Sequence, residues 1–147
     1  MGRILDGKPV TDCSFCRIAA HDEPARVVFE TGEVMGFFPL APAAVGHTLV
    51  ITKAHIADIW ELDDATGSVL LSASKRVAEG LRAVLEPRGM NLINSAGRAA
   101  SQTIMHIHFH LVPRWDNDNF GPLWPAGISA SAEQLDDLAR RVSRALR

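Results

Sequence analysis

Three histidines at every second position constrain this chain more than any other feature. Residues 106–112 read His-Ile-His-Phe-His-Leu-Val. In a β-strand, side chains alternate between two faces and each residue advances the chain by about 3.3 Å. A strand over residues 104–113 therefore places His106, His108 and His110 on one face. The alternate residues Ile107, Phe109 and Leu111 face the other way and can fill a core.

Three imidazoles on one face contribute no hydrophobic energy, which argues against an ordinary half-exposed strand with polar residues outward. Two functional interpretations follow. Two or three of the rings could hold a metal ion, because imidazole is a common metal ligand. Alternatively, one ring could be the nucleophile of a phosphoryl or nucleotidyl transfer site, since its pKa is near neutral and a neighbouring imidazole can orient it.

The rest of the sequence predicts an antiparallel sheet with few helices. We expect strands at residues 26–30, 33–38, 48–52 and 90–94 besides the histidine strand, with Thr31-Gly32 closing a hairpin. A short helix is predicted at residues 14–20, and a long one from Asp63 or Asp64 to about Glu86. A capping box at Ser131 opens a C-terminal helix. Because turns or one helix join the strands, the fold class is α+β with five antiparallel strands.

Composition narrows the classes of partner. The 147 residues suit one domain over residues 12–147, preceded by a loose arm at 1–11. A net charge of -2 argues against a nucleic-acid surface, and no apolar run is long enough for a membrane span.

We see no secretory leader and expect a cytoplasmic protein. In that compartment, Cys13 and Cys16 suggest a metal half-site or redox pair. The exposed stretch 21–24, which contains His21, is assigned no role.

Several spaced motifs carry a family resemblance. The histidine run matches the His-φ-His-φ-His-φ-φ signature of the histidine triad (HIT) superfamily, where φ is apolar. The segment Cys13-Ser-Phe-Cys-Arg-Ile18 resembles the N-terminal motif of bacterial members, and Gly46-His-Thr-Leu-Val-Ile-Thr-Lys-Ala-His55 resembles a second motif. The segments Asn94-Ser-Ala-Gly97 and Ser101-Gln-Thr103 resemble the loop before the triad.

This resemblance implies a fold and an activity. Such proteins have a five-stranded antiparallel sheet with a long helix, and they form homodimers that share a continuous sheet. They hydrolyse or transfer nucleoside monophosphates from phosphoramidates, acyl-adenylates or dinucleoside polyphosphates. A nucleotidyl-histidine is the intermediate. The partner is thus expected to be a small nucleotide, with a purine base.

The resemblance also implies residue roles. His108 is the expected nucleophile, with His110 at the transferred phosphate and His47 in the same pocket. Phosphate or ribose contacts are expected from Asn94 (or Ser95), Gln102 and Thr103. Four apolar residues match positions that enclose the base, although plain core packing explains each equally well: Phe15, Ile18, Phe37 and Leu40.

A structural metal site is the third implication. Cys13, Cys16, His55 and His106 resemble, in type and order, the zinc ligands of bacterial HIT proteins and galactose-1-phosphate uridylyltransferases. Four such ligands suit tetrahedral zinc and leave no open position, so one structural Zn²⁺ per chain is expected. A zinc ion bound there would occupy His106, so this histidine could not take part in catalysis. A reduced, unligated cysteine pair is the alternative.

Two departures from the family pattern keep other functions open. Pro39 stands where the family commonly has a ribose-binding Asp, which predicts weak discrimination between ribose and deoxyribose. Ser101 stands where Gly is frequent, so the backbone approach to phosphate differs. A zinc-stabilised nucleotide-binding or protein-interaction module with little catalysis is therefore an alternative. A metalloenzyme using all three triad histidines is another.

Overall fold

The structure is a computed structural model that describes residues 12–147. The predicted loose arm at 1–11 lies outside the described residues. In chain order the elements are α1 (Ser14–Ala19), β1 (Arg26–Glu30), β2 (Val34–Phe38), β3 (Thr48–Thr52), α2 (Asp64–Leu85), β4 (Gly89–Ile93), β5 (His108–Arg114) and α3 (Ala132–Ala145), with a 3-10 turn at Arg98–Ala100. The strands form one antiparallel sheet in the order β1-β2-β3-β5-β4. The predicted α+β fold class is confirmed.

Both faces of the central strands are covered. On one face, α2 packs Leu70, Val77 and Leu81 against sheet residues that include Val50 and Leu111. On the other face, α1 packs onto a second apolar cluster. Four of the five residues of β2 and all of β3 are buried as a result. The sequences of such strands are largely apolar at consecutive positions, because neither face of the strand is exposed to solvent.

Helix α2 begins and ends where its capping residues predict. The Asp63 carboxylate accepts a hydrogen bond from the Thr66 backbone N–H at 2.9 Å. At the other end, Glu86 adopts the left-handed conformation (φ 48°) and Pro87 follows it. These caps satisfy groups that have no partner within a helix.

The histidine strand begins later than predicted. β5 starts at His108 instead of Ile104, so His106 lies before the strand and only His108 and His110 share its ladder. The cause is local: the Ile107 backbone N–H donates to the Ile56 carbonyl at 2.6 Å, away from the β3 ladder. This bend separates the first histidine of the triad from the other two.

Glycine at position 46 fixes the entry to β3. Gly46 has φ 81°, which is costly for residues with a Cβ. A Cβ there would also collide with the Leu85 side chain. The turn it permits places His47 immediately before β3, beside the end of β5.

The C-terminal helix has a different environment. Residues 121–147 are all exposed, and α3 carries an apolar stripe of Leu135, Leu138 and Val142. Its capping box, formed by Ser131 and Gln134, is present as predicted. Among residues 12–147, no helix combines the length and the apolar character needed to cross a bilayer.

Candidate active site and metal centre

A cleft of about 680 Å³ opens on the α1 side of the sheet. It brings together most residues that the sequence singles out. The lining includes His47, His108, His110, Thr103, Phe15, Ile18, Phe37 and Leu40. The three histidines come from the start of β3 and from β5, whose register pairs His110 with Leu49.

The ring of His108 is held in one tautomer. Its Nδ1 lies 2.8 Å from the backbone carbonyl oxygen of His106. Because a carbonyl only accepts hydrogen bonds, Nδ1 carries the proton and Nε2 carries the free lone pair. The Phe15 ring meets the imidazole edge-on, with centroids 5.1 Å apart. A buried ring, fixed at one nitrogen and lining a cleft, has the geometry of a nucleophile.

A chain of hydrogen bonds fixes the other two rings. The Ala43 backbone N–H donates to His47 Nδ1 at 3.0 Å. His47 Nδ1 is therefore unprotonated, so Nε2–H donates to His110 Nδ1 at 2.9 Å. In turn His110 carries its own proton on Nε2. As a result, the Nε2 atom of His110 is a hydrogen-bond donor, whereas the Nε2 atom of His108 carries a lone pair.

All of these histidines are neutral at physiological pH. Burial lowers the pKa of His108, and a hydrogen bond to the His106 carbonyl partly opposes this shift. Burial, with smaller contributions from His108 and His47, lowers the pKa of His110 to about 4. Burial and then His108 lower the pKa of His47. Desolvation disfavours the cation, which preserves the lone pair on His108 Nε2.

Asn94 and Gln102 lie outside the cleft lining. The Asn94 side-chain amide donates to the His108 backbone carbonyl at 3.0 Å. The buried Gln102 side chain accepts from the Gly97 N–H and donates to the carbonyls of Ala57 and Ile104. Its backbone N–H also donates to the Gly97 carbonyl. Both side chains thus hold the backbone around the triad, and Thr103 alone of the three lines the cleft.

The four predicted base-enclosing residues differ in environment. Phe15, Ile18 and Phe37 are buried members of the second core cluster, whereas Leu40 is 91% exposed. The Phe15 and Phe37 rings meet edge-to-face with centroids 5.6 Å apart. One apolar wall of the cleft is therefore rigid core, and the other belongs to an exposed loop.

The remaining predicted ligands form a separate cluster beside the cleft. The Sγ atoms of Cys13 and Cys16 each lie 3.5 Å from His106 Nδ1, and Cys16 Sγ lies 3.2 Å from His55 Nδ1. All four donor atoms fall within 4.8 Å of one another. Tetrahedral zinc with thiolate and imidazole ligands needs sulfur–nitrogen separations of about 3.5 Å. The side chains therefore fit a bound metal ion.

A buried hydrogen bond orients His106 toward that cluster. Its Nε2 lies 2.7 Å from the Thr52 carbonyl oxygen, so Nε2 carries the proton and Nδ1 is left for a metal. Burial lowers the pKa of His106 to about 4, which also keeps Nδ1 unprotonated. The sequence identified the ligand set but not Thr52, because a backbone carbonyl has no signature in the sequence.

The sequence also missed two charged residues of the cleft lining, Glu23 and Arg26. Glu23 lies among the lining residues, in the stretch that the sequence analysis left without a role. No motif marks it. Its position depends on the turn after α1, where the backbone N–H groups of Asp22 and Glu23 donate to the Arg17 carbonyl.

Comparisons with known proteins agree with this fold. Residues 20–117 match the HIT domain family. An adenosine 5'-monophosphoramidase of Schizosaccharomyces pombe is 33% identical over 132 residues, which are 89% of this chain and 96% of the relative. The structure of SMU.412c from Streptococcus mutans superposes with a TM-score of 0.91 at 31% identity, covering 99% of this chain and 92% of that one. A zinc-bound histidine triad protein from Mycobacterium smegmatis gives 0.72 at 31% identity, covering 91% and 97%.

These matches define the class of protein. A five-stranded antiparallel sheet with paired histidines on one strand, matched over most of its length, is the HIT fold. The chain belongs to the HIT domain family. The resemblance found in the sequence motifs is confirmed.

The low pKa of His110 predicts how stability depends on pH. Its ordinary value is 6.5 and its folded value is about 4. Above pH 6.5 neither the folded nor the unfolded state is protonated at this ring. Between pH 6.5 and 4 the unfolded state takes up a proton that the folded state refuses, so stability falls with decreasing pH. His110→Asn removes this contribution and should reduce the loss of unfolding free energy between pH 7.5 and 5.

Urea unfolding at several pH values measures this difference. The other buried histidines remain in both proteins, so the variant retains part of the acid sensitivity. An equal or steeper loss in the His110→Asn protein would show that the ring is not held neutral.

Proposed function

We propose that this protein is a nucleotidyl hydrolase or transferase that cleaves nucleoside monophosphate conjugates at the α-phosphate. The single observation that carries the proposal is the fixed tautomer of His108, whose free Nε2 lone pair belongs to a ring lining the cleft. The S. pombe relative, an adenosine 5'-monophosphoramidase, supports phosphoramidates as a substrate class. Purine nucleotides fit an apolar cleft lined by Phe15 and Phe37.

The proposed reaction has two steps. His108 Nε2 attacks the α-phosphorus of a phosphoramidate whose nitrogen is already protonated. A phosphorus–nitrogen bond to His108 forms, while the original one breaks and its electron pair leaves with the neutral amine. Water then attacks phosphorus, the electron pair of the His108 bond returns to Nε2, and the water proton passes to solvent. His110 Nε2–H donates to a phosphoryl oxygen and stabilises the charge that develops there.

Two other functions receive less support. A metalloenzyme using all three triad histidines needs His106 beside His108 and His110, but His106 Nδ1 is directed at the two cysteines. A nucleotide-binding module with little catalysis is favoured by Pro39 at the usual ribose-binding position. Turnover separates that alternative from the proposed enzyme.

The nucleophile is tested by replacing His108. His108→Ala should retain the fold and lower turnover of an adenosine phosphoramidate by about 10³-fold or more, because the covalent route is lost. His110→Ala should slow the reaction less and allow the adduct to accumulate. The exposed His21→Ala is the matched control and should react like wild type. Rapid-quench mass spectrometry of wild type should map a nucleotidyl adduct to His108. Near-normal turnover in His108→Ala, or an adduct on another residue, contradicts the mechanism.

The metal cluster is proposed to hold one structural Zn²⁺ per chain. Cys13, Cys16, His55 and His106 supply its ligands, and the ion joins α1 to the segments that follow β3 and precede β5. The zinc-bound M. smegmatis neighbour supports this identity. A cytoplasmic location belongs to the same proposal, since that compartment keeps the thiols reduced.

Metal content of matched variants tests the zinc site. Wild type purified under reducing, chelator-free conditions should contain one zinc per chain, and Cys13→Ser should contain far less and melt at a lower temperature. His108→Ala should keep its zinc, because that ring is not a ligand. Absence of zinc from wild type would refute the proposal, as would equal zinc in Cys13→Ser.

We also propose a homodimer that continues the sheet. Its two edges are β1 and β4. The pairing of β1 with β2 shifts register between Val27 and Phe29, and such irregularities protect an edge from further pairing. By contrast, β4 pairs regularly with β5 and exposes Leu92 beside Leu71 of α2. The β4 edge is therefore the better surface for a second copy.

Light scattering tests this arrangement. Wild type should have about twice the chain mass of 15.9 kDa at micromolar concentration. Leu92→Asp should be monomeric, because the dimer would bury an unpaired charge. Val28→Asp, similarly exposed on β1, should remain dimeric. A monomeric wild type, or dissociation caused by Val28→Asp instead of Leu92→Asp, would contradict the proposal.

A further inference from the structure

The cleft contains a carboxylate even though position 39 does not supply one. Pro39 lines the cleft and offers no side-chain acceptor. Of the described residues that line the cleft, Glu23 alone carries a carboxylate. It comes from the turn between α1 and β1, so its source differs from the position at which the family pattern places an acid.

Neighbouring groups hold the Glu23 carboxylate in place. Ser14 Oγ lies 3.0 Å from both Oε1 and Oε2, and Arg17 Nε donates to Oε2 at 3.0 Å. The side chain remains 35% exposed. An ionised carboxylate has about four acceptor positions, so these contacts orient the group and leave lone pairs for a ligand.

Strand register places Glu23 near Pro39. Arg26 of β1 pairs with Phe38 of β2. In an antiparallel pair, residues before Arg26 run alongside residues after Phe38. Residues 23–25 and 39–41 all line the cleft, which agrees with this placement. The segments that carry Glu23 and Pro39 thus leave the last strand pair side by side and line the same cleft.

We propose that Glu23 binds the vicinal ribose hydroxyls of the nucleotide in this cleft, in place of an acid at position 39. Two hydroxyl donors suit a carboxylate with two oxygens fixed in orientation. The inference rests on the proposed nucleotide activity and adds a specificity-determining residue to it. It replaces the weak ribose discrimination predicted from Pro39 with a clear preference for ribonucleotides.

Calorimetric binding of AMP and 2'-deoxy-AMP tests the inference. Wild type should bind AMP about 10-fold more tightly or better, the typical effect of a hydrogen bond to a charged group. Glu23→Leu should weaken AMP binding and bring the ratio of the two affinities close to one. Asp22→Leu is the matched control: it removes the adjacent exposed carboxylate, which does not line the cleft, so it should keep the AMP preference.

The outcomes separate this inference from the proposed function. Failure of wild type to bind either nucleotide overturns the nucleotide activity itself. Equal binding of both nucleotides by wild type overturns the role of Glu23 alone and needs no variant. Loss of the preference in Asp22→Leu, or its retention in a folded Glu23→Leu protein, also overturns that role. If Glu23→Leu changes the preference for AMP over GMP but not the preference for AMP over 2'-deoxy-AMP, the carboxylate contacts the base. That result also overturns the ribose assignment.

Discussion

The hydrogen bond from His106 to the Thr52 carbonyl is the contact on which both parts of the site depend. It is buried, spans 2.7 Å, and connects the end of β3 to the bend before β5. By fixing the proton on Nε2, it gives the cysteine cluster an unprotonated Nδ1. The backbone carbonyl of His106 accepts a hydrogen bond from His108 Nδ1 and so fixes the ring of the proposed nucleophile. One residue therefore determines the tautomers of a proposed metal ligand and of the proposed nucleophile.

This coupling explains why the triad is split between two environments. A regular strand from Ile104 would put three rings on one face, where each would be equivalent to its neighbours. The bend at residues 104–106 keeps His106 out of the ladder, with its ring beside the two cysteines and its backbone carbonyl available to His108. The metal cluster, when occupied, would hold that bend in place from outside the cleft. A structural site can in this way pre-organise a catalytic one without taking part in the chemistry.

Sequence reasoning succeeded where side-chain type and spacing carry the information. Alternating histidines, the caps of α2 and the paired cysteines all mark their positions in the chain. It failed where backbone groups decide the outcome. The late start of β5 depends on a hydrogen bond to the Ile56 carbonyl, and the hydrogen bonds of Asn94 and Gln102 to backbone groups likewise have no signature in the sequence. Glu23 reaches the cleft through the turn after α1, which is closed by backbone hydrogen bonds to the Arg17 carbonyl and which no local motif marks.

Neutral histidines impose a further requirement on the cleft. Desolvation keeps the lone pair on His108, but it also removes the positive charge that imidazolium rings would offer a phosphate. The backbone N–H groups of Ser101 and Gln102 are already bonded within their own loop. The donors left at the cleft for a phosphate therefore include His110 Nε2–H and the side chain of Arg26, which also lines it. Once His108 is nucleotidylated its ring becomes cationic, so the positive charge arises only after the nucleophile has acted.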